Sequence, residues 1–142
     1  MSSAPHSRGS LGVWLLALLL LPAIPVDAQV DCSNPDNLCT GDPCIITASA
    51  VSSPCTVDFG SRAVVIANRL QVGALNLTAR TIAVQATISN EITVQLFADE
   101  TIDLDGAIVG AAHLEAGGDI NVRRAIKGGT ANGIGLEAGN DI

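Results

Sequence analysis

The sequence predicts an all-β chain: a right-handed parallel β-helix (β-solenoid) with a disulfide-pinned N-terminal loop segment. Three observations carry this. A strand–corner–strand unit repeats from Leu75 onward, the core inventory is aliphatic with almost no aromatics, and all four cysteines sit in one short stretch. The chain has 142 residues, which suits one domain with at most a small appendage.

Residues 1–28 have the layout of a secretory signal peptide and are set apart from fold reasoning. Arg8 gives a weakly positive start, Leu11–Leu21 is a short apolar run, and Val26 and Ala28 occupy A-x-A-like places before a cleavage point after Ala28. Eleven apolar residues are too few to span a bilayer. A lipoprotein site at Cys32 is disfavoured by Asp31, which stands where a small residue is needed. No membrane insertion is expected after cleavage, and the address is secreted or outer cell surface.

Residues 29–44 are rich in Asp, Asn, Pro and Gly and lack apolar periodicity, so they read as a loop or cap segment. Cys32, Cys39, Cys44 and Cys55 are separated by six, four and ten residues. An even cysteine count in an exported chain reads as two disulfides, with three possible connectivities. A zinc site is the weaker reading, because there is no C-x-x-C pair and no histidine nearby.

Residues 45–142 read as solenoid repeats. Leu75-Asn-Leu77-Thr-Ala79 is echoed at Val94–Ala98, Ala112–Ala116 and Ile134–Ala138, with starts 19, 18 and 22 residues apart. A second alternating step follows at Ile82–Val84, Ile102–Leu104 and Ile120–Val122, and another opens at Ile142. Period-two alternation marks half-buried strands, and nothing recurs at helical spacing. The corner between the two steps recurs as Ala98-Asp-Glu-Thr-Ile102, Ala116-Gly-Gly-Asp-Ile120 and Ala138-Gly-Asn-Asp-Ile142. Gly, Asn and Asp there are expected to supply positive φ or self-capping.

A unit with two short strands cannot bury its apolar edge alone, so the units must stack as coils. The handedness of parallel crossovers makes the winding right-handed. An antiparallel meander would instead put two-residue Asn-Gly or Asp-Gly hairpins in the recurring corner. Asp105-Gly106 and Asn132-Gly133 fall outside it.

Leu114-Glu-Ala-Gly-Gly-Asp-Ile-Asn-Val122 and its echo Leu136-Glu-Ala-Gly-Asn-Asp-Ile142 resemble the repeats of filamentous-haemagglutinin-type adhesins and related bacterial β-helix surface proteins. The resemblance covers residues 75–142, with a looser fit back to Ile45. It implies an exported β-helical stalk or adhesive surface, with a cell-surface glycan or protein as partner. The cysteine-rich start departs from it, and nothing matches the secretion domain of large adhesins.

Removing Arg8 and Asp27 with the leader takes one charge of each sign, so the remaining chain keeps the full net charge of −7. An acidic surface is repelled by phosphate backbones, which excludes nucleic acid as the expected partner. There is no G-x-S-x-G and no phosphate-cradling G-x-x-x-x-G-K, so no catalytic residue and no cofactor-binding residue is assigned. His113 is expected at a solvated outward position. Asn76-Leu77-Thr78 matches a glycosylation sequon but lies inside a strand.

Stacking in register places Glu115 over Glu137 and Asp119 over Asp141, with Thr101 in the Asp slot. A wet, screened outer face is the ordinary reading; a Ca²⁺ ion bridging these carboxylates is the sharper one. The runner-up function is a β-helical polysaccharide lyase or hydrolase acting on acidic sugars. It would use Asp99, Asp103, Asp105 and Asp119 with Arg123 or Arg124. The preferred expectation is a non-catalytic structural or adhesive surface module. Ile142 opens a strand and stops, so the chain is expected to be the N-terminal part of a larger surface protein, or to be completed by self-association at an open solenoid end.

Overall fold

The computed structural model describes residues 29–128 and 133–142. It is a parallel β-solenoid of about five turns. Residues 1–28, which the sequence reads as a signal peptide, lie outside the described residues. In chain order the elements are helix α1 (Pro35–Leu38) and strands β1 (Cys44–Ile46), β2 (Cys55–Asp58), β3 (Ala63–Ile66), β4 (Leu70–Val84) and β5 (Ile88–Leu104). Strands β6 (Ile108–Val109), β7 (Ala112–Ala116), β8 (Ile120–Val122), β9 (Ile126–Lys127) and β10 (Ile134–Ala138) follow.

Every strand pairing is parallel, and the strands stack into three faces. The first face runs β1, β3, the end of β4, the end of β5, then β8, with Val64, Ile82, Ile102 and Ile120 in one register column. The second takes the starts of β4 and β5, then β6 and β9, through Leu70, Ile88, Ile108 and Ile126. The third runs β2, mid-β4, mid-β5, β7 and β10, through Val57, Leu77, Leu96, Leu114 and Leu136. The sequence reading recognised two strands per coil; the second face is the one it lacked. Its strands bury two residues at most, and Ile126 on β9 is only partly buried, so they show little alternation.

Alternation does the building. On β7 the pattern is buried at Ala112, Leu114 and Ala116, with His113 and Glu115 facing outward. Inward columns of aliphatic residues make one continuous core, and no polar or charged side chain is buried among the described residues. That answers the aromatic-poor composition, since a narrow coil stacked on its own copies is filled by Val, Ile, Leu and Ala.

The cysteines belong to this core as much as to the cap. Cys44 heads the Val64–Ile82 column and Cys55 heads the Leu75–Val94 column, both fully buried. Cys55 pairs with Cys32 and Cys44 pairs with Cys39, each with Cα atoms 5.4 Å apart. The two disulfides therefore tie the preceding segment onto the first coil. That segment contains the single-turn helix α1, started by Pro35 and by Asn34, whose Oδ1 accepts from the Asp36 N–H at 3.0 Å. Asp36 pairs with Arg62 at 3.0 Å, and the Asp42 carboxylate accepts from the Ala63 N–H at 2.8 Å.

The recurring corner corrects one expectation. Its glycines do not adopt positive φ: Gly41, Gly60 and Gly110 do, and all three lie elsewhere. The corners instead hydrogen-bond coil to coil, Gly117 N–H to the Ala98 carbonyl at 3.0 Å and Gly139 N–H to the Ala116 carbonyl at 2.9 Å. A Cβ on Gly117 would strike the Asp99 carbonyl oxygen, and one on Gly139 would strike that of Gly117. These glycines are there for close approach of stacked backbones.

Gly117→Ala is accordingly expected to lower stability by about 1–3 kcal/mol, as overpacking against backbone does. Gly133 has open space around its Cβ position, so Gly133→Ala should stay within about 0.5 kcal/mol of the parent. Urea denaturation of the two variants side by side checks the pair.

Candidate functional site

The outer third face carries the densest grouping of ligand-type side chains. On β7, His113 and Glu115 are two residues apart and so share the outward side of one strand. Strand β10 pairs with β7 so that Glu137 lies directly beside Glu115 and Gly135 beside His113. The imidazole Nε2 stands 3.8 Å from Glu115 Oε2. One donor atom from each of His113, Glu115 and Glu137 falls within 4.8 Å of the others.

Neighbouring coils fix the histidine. Phe97, one coil up, packs its ring against the imidazole with centroids 5.8 Å apart and planes tilted by 56°. On the other side an alanine Cβ at position 135 would come within 2.7 Å of Nδ1, so glycine leaves the space the ring occupies. His113 is consequently half-buried, whereas Glu115 and Glu137 are exposed and free to change rotamer. Above it the same outward column holds Asn76 and Gln95, joined by a 3.1 Å hydrogen bond between Asn76 Nδ2 and Gln95 Oε1. The sequon asparagine is thus engaged in a side-chain ladder.

The expected carboxylate pairs separate into two places. Glu115 and Glu137 are register partners. Asp119 and Asp141 occupy equivalent corner positions: the Asp119 carbonyl accepts from Ile102 N–H at 3.0 Å and the Asp141 carbonyl from Ile120 N–H at 2.9 Å. Among the described residues the three-member grouping is His113, Glu115 and Glu137, with neither aspartate in it. Sequence reasoning placed His113 at an outward position but did not join it to the glutamates. The signal was present, since His113 and Glu115 are two apart and Glu137 is the next copy of Glu115.

The lyase candidates do not converge on one centre. Asp103, on the outer first face, accepts from Asn121 Nδ2 at 2.9 Å, and Asp105 pairs with Arg123 at 2.7 Å. Asp105, by hydrogen bond and charge, holds the Arg123 guanidinium above its already high pKa. Asp99 and Asp119 sit at the corner between the third and first faces. Arg124 lines a shallow hollow with Asp105 and Gly106 beside the second face. Strand β9 follows Arg124 at Ile126–Lys127, and positions 129–132 are outside the described residues.

The fold and its surface define a class: a disulfide-capped parallel β-solenoid with polar ladders on its outer faces. No family model matches the sequence, and no curated protein or solved structure matches it either. Two disulfides indicate a non-cytoplasmic protein. No helix among the described residues is long and apolar enough to cross a membrane.

Proposed function

We propose that this chain is an exported, non-catalytic structural or adhesive module that presents the outer faces of its solenoid at the surface of the producing cell. The observation that carries the reading is the repetition of one coil design. Inward aliphatic columns and backbone ladders stiffen a rod, while outward positions vary along the stack: Asn76, Gln95, His113 and Gly135 in one column, Thr78, Phe97 and then the repeated Glu115 and Glu137 in the next. Such a surface offers many weak polar contacts along its length, which suits a cell-surface glycan or protein partner. The carboxylates Asp103 and Asp105 are each tied to a neighbour on the next coil, an arrangement that serves coil stacking.

Export and role can be tested together. Protease accessibility on intact producing cells, with amino-terminal sequencing of the recovered protein, should find it outside the cytoplasm and beginning at Gln29. Beads coated with the recovered protein should be retained on surfaces that carry cell-surface glycans. Recovery from the cytosol with four free thiols would overturn export. Release of unsaturated products from pectin-like polymers would overturn the non-catalytic reading in favour of a polysaccharide lyase.

A further inference from the structure

We infer that His113, Glu115 and Glu137 form a transition-metal site of the Zn²⁺ class that staples β7 to β10 across two successive coils. The inference is independent of the adhesive role, because it rests on donor chemistry and register alone. Three donors of the right kind lie within 4.8 Å of one another. They come from two strands whose register is fixed residue by residue from Ile134↔Ala112 to Ala138↔Ala116.

The donor set selects the ion. Ca²⁺ takes six to eight oxygen ligands, and an imidazole nitrogen is a poor substitute for one. Zn²⁺ is borderline in softness, accepts both histidine nitrogen and carboxylate oxygen at about 2.0–2.2 Å, and is satisfied by four ligands. One imidazole and two carboxylates leave a single position for water. Tetrahedral ligation puts donors about 3.3 Å apart, so the present grouping must close by about 1.5 Å. The exposed Glu115 and Glu137 can do this by rotamer changes alone, while the half-buried His113 stays where Phe97 holds it.

The site also accounts for two local features. Glu115 and Glu137 are like charges on adjacent strands, an unfavourable pair that a bridging cation reverses. Gly135 gives the imidazole room on its Nδ1 side, leaving Nε2 on the side of Glu115. Both are arrangements of side chains around one point, and both differ from the Ca²⁺ bridge expected from the carboxylates alone. Asp119 and Asp141 have no part in this site.

The test is calorimetric titration of ZnCl₂ into the full chain, treated with chelator and then freed of it. One saturable site per chain is expected. His113→Gln and Glu137→Gln should each weaken it by about 10- to 100-fold or more, the range that even outer partners of a metal site command. Asp141→Asn should leave it unchanged, and millimolar CaCl₂ should not displace the zinc. As a readout that needs no variant, Zn²⁺ should shift the ring protons of His113, the single histidine of residues 29–142, in the NMR spectrum. Absence of saturable zinc binding, zinc binding untouched by His113→Gln, or displacement by Ca²⁺ would each overturn the site.

Discussion

Leu96→Ala is expected to lower the unfolding free energy by about 2–5 kcal/mol, towards the top of that range. Leu96 is fully buried at the centre of the Val57–Leu77–Leu96–Leu114–Leu136 column. Its own strand, β5, is hydrogen-bonded in register to β4 on one side and to β7 on the other. Neighbours locked in this way cannot collapse into the space the side chain leaves, so the cavity persists and its cost adds to the lost transfer energy. Leu136, in the same column on β10, is only half-buried, and Leu136→Ala should cost appreciably less. Urea denaturation with a common m-value measures both. Equal costs at the two positions would mean that the column is not packed coil on coil.

Loss of the Cys32–Cys55 disulfide is expected to be the next largest effect. It closes a sequence separation of 23 residues, whereas Cys39–Cys44 closes only 5. Loop-closure entropy assigns about 3 kcal/mol to the first and about 2 kcal/mol to the second. The first also loses more packing, because Cys32 and Cys55 are both in the buried core cluster, whereas of the second pair only Cys44 is. The pair Cys32→Ala/Cys55→Ala should therefore destabilise more than Cys39→Ala/Cys44→Ala, and full reduction should exceed either. Denaturation midpoints of the two double variants, read under oxidising conditions, decide the order. A larger loss from the Cys39–Cys44 pair would show that the short bridge, through α1 and the Asp36–Arg62 ion pair, is what holds the cap in place.

Much of this architecture was legible before any coordinates. The copies beginning at Leu75, Val94, Ala112 and Ile134 are in-register neighbours in the structure, and so are Ile82, Ile102 and Ile120. Period-two alternation and a spacing that stays between 18 and 22 residues were enough, because a solenoid writes its three-dimensional neighbour into the sequence about one coil away. The second face escaped notice because Ile108 and Ile126 sit on two-residue strands, too short for any alternation to register. The corner glycines were located correctly but given the wrong reason. A glycine needed for positive φ and one needed for close backbone approach look identical in sequence.

The site divides the same way. That Glu115 and Glu137 lie side by side follows from the repeat alone, and so does the outward direction of His113. Which atoms meet does not follow. The ring of His113 is placed by Phe97 from one coil and by the missing Cβ of Gly135 on the next, two contacts supplied by different turns. Likewise four cysteines in one stretch announced two disulfides, but three connectivities remained open. Only the winding of the first coil, which brings Cys55 beneath Cys32 and Cys44 beside Cys39, selected one. The sequence by itself determined the period, the parallel stacking and the sidedness of each strand, because these depend on a local pattern repeated at fixed intervals. The tertiary structure alone decided the disulfide pairing, the third strand of each coil and the meeting of His113 with two glutamates. Those depend on how far each corner turns the chain, and that angle is set by contacts between coils.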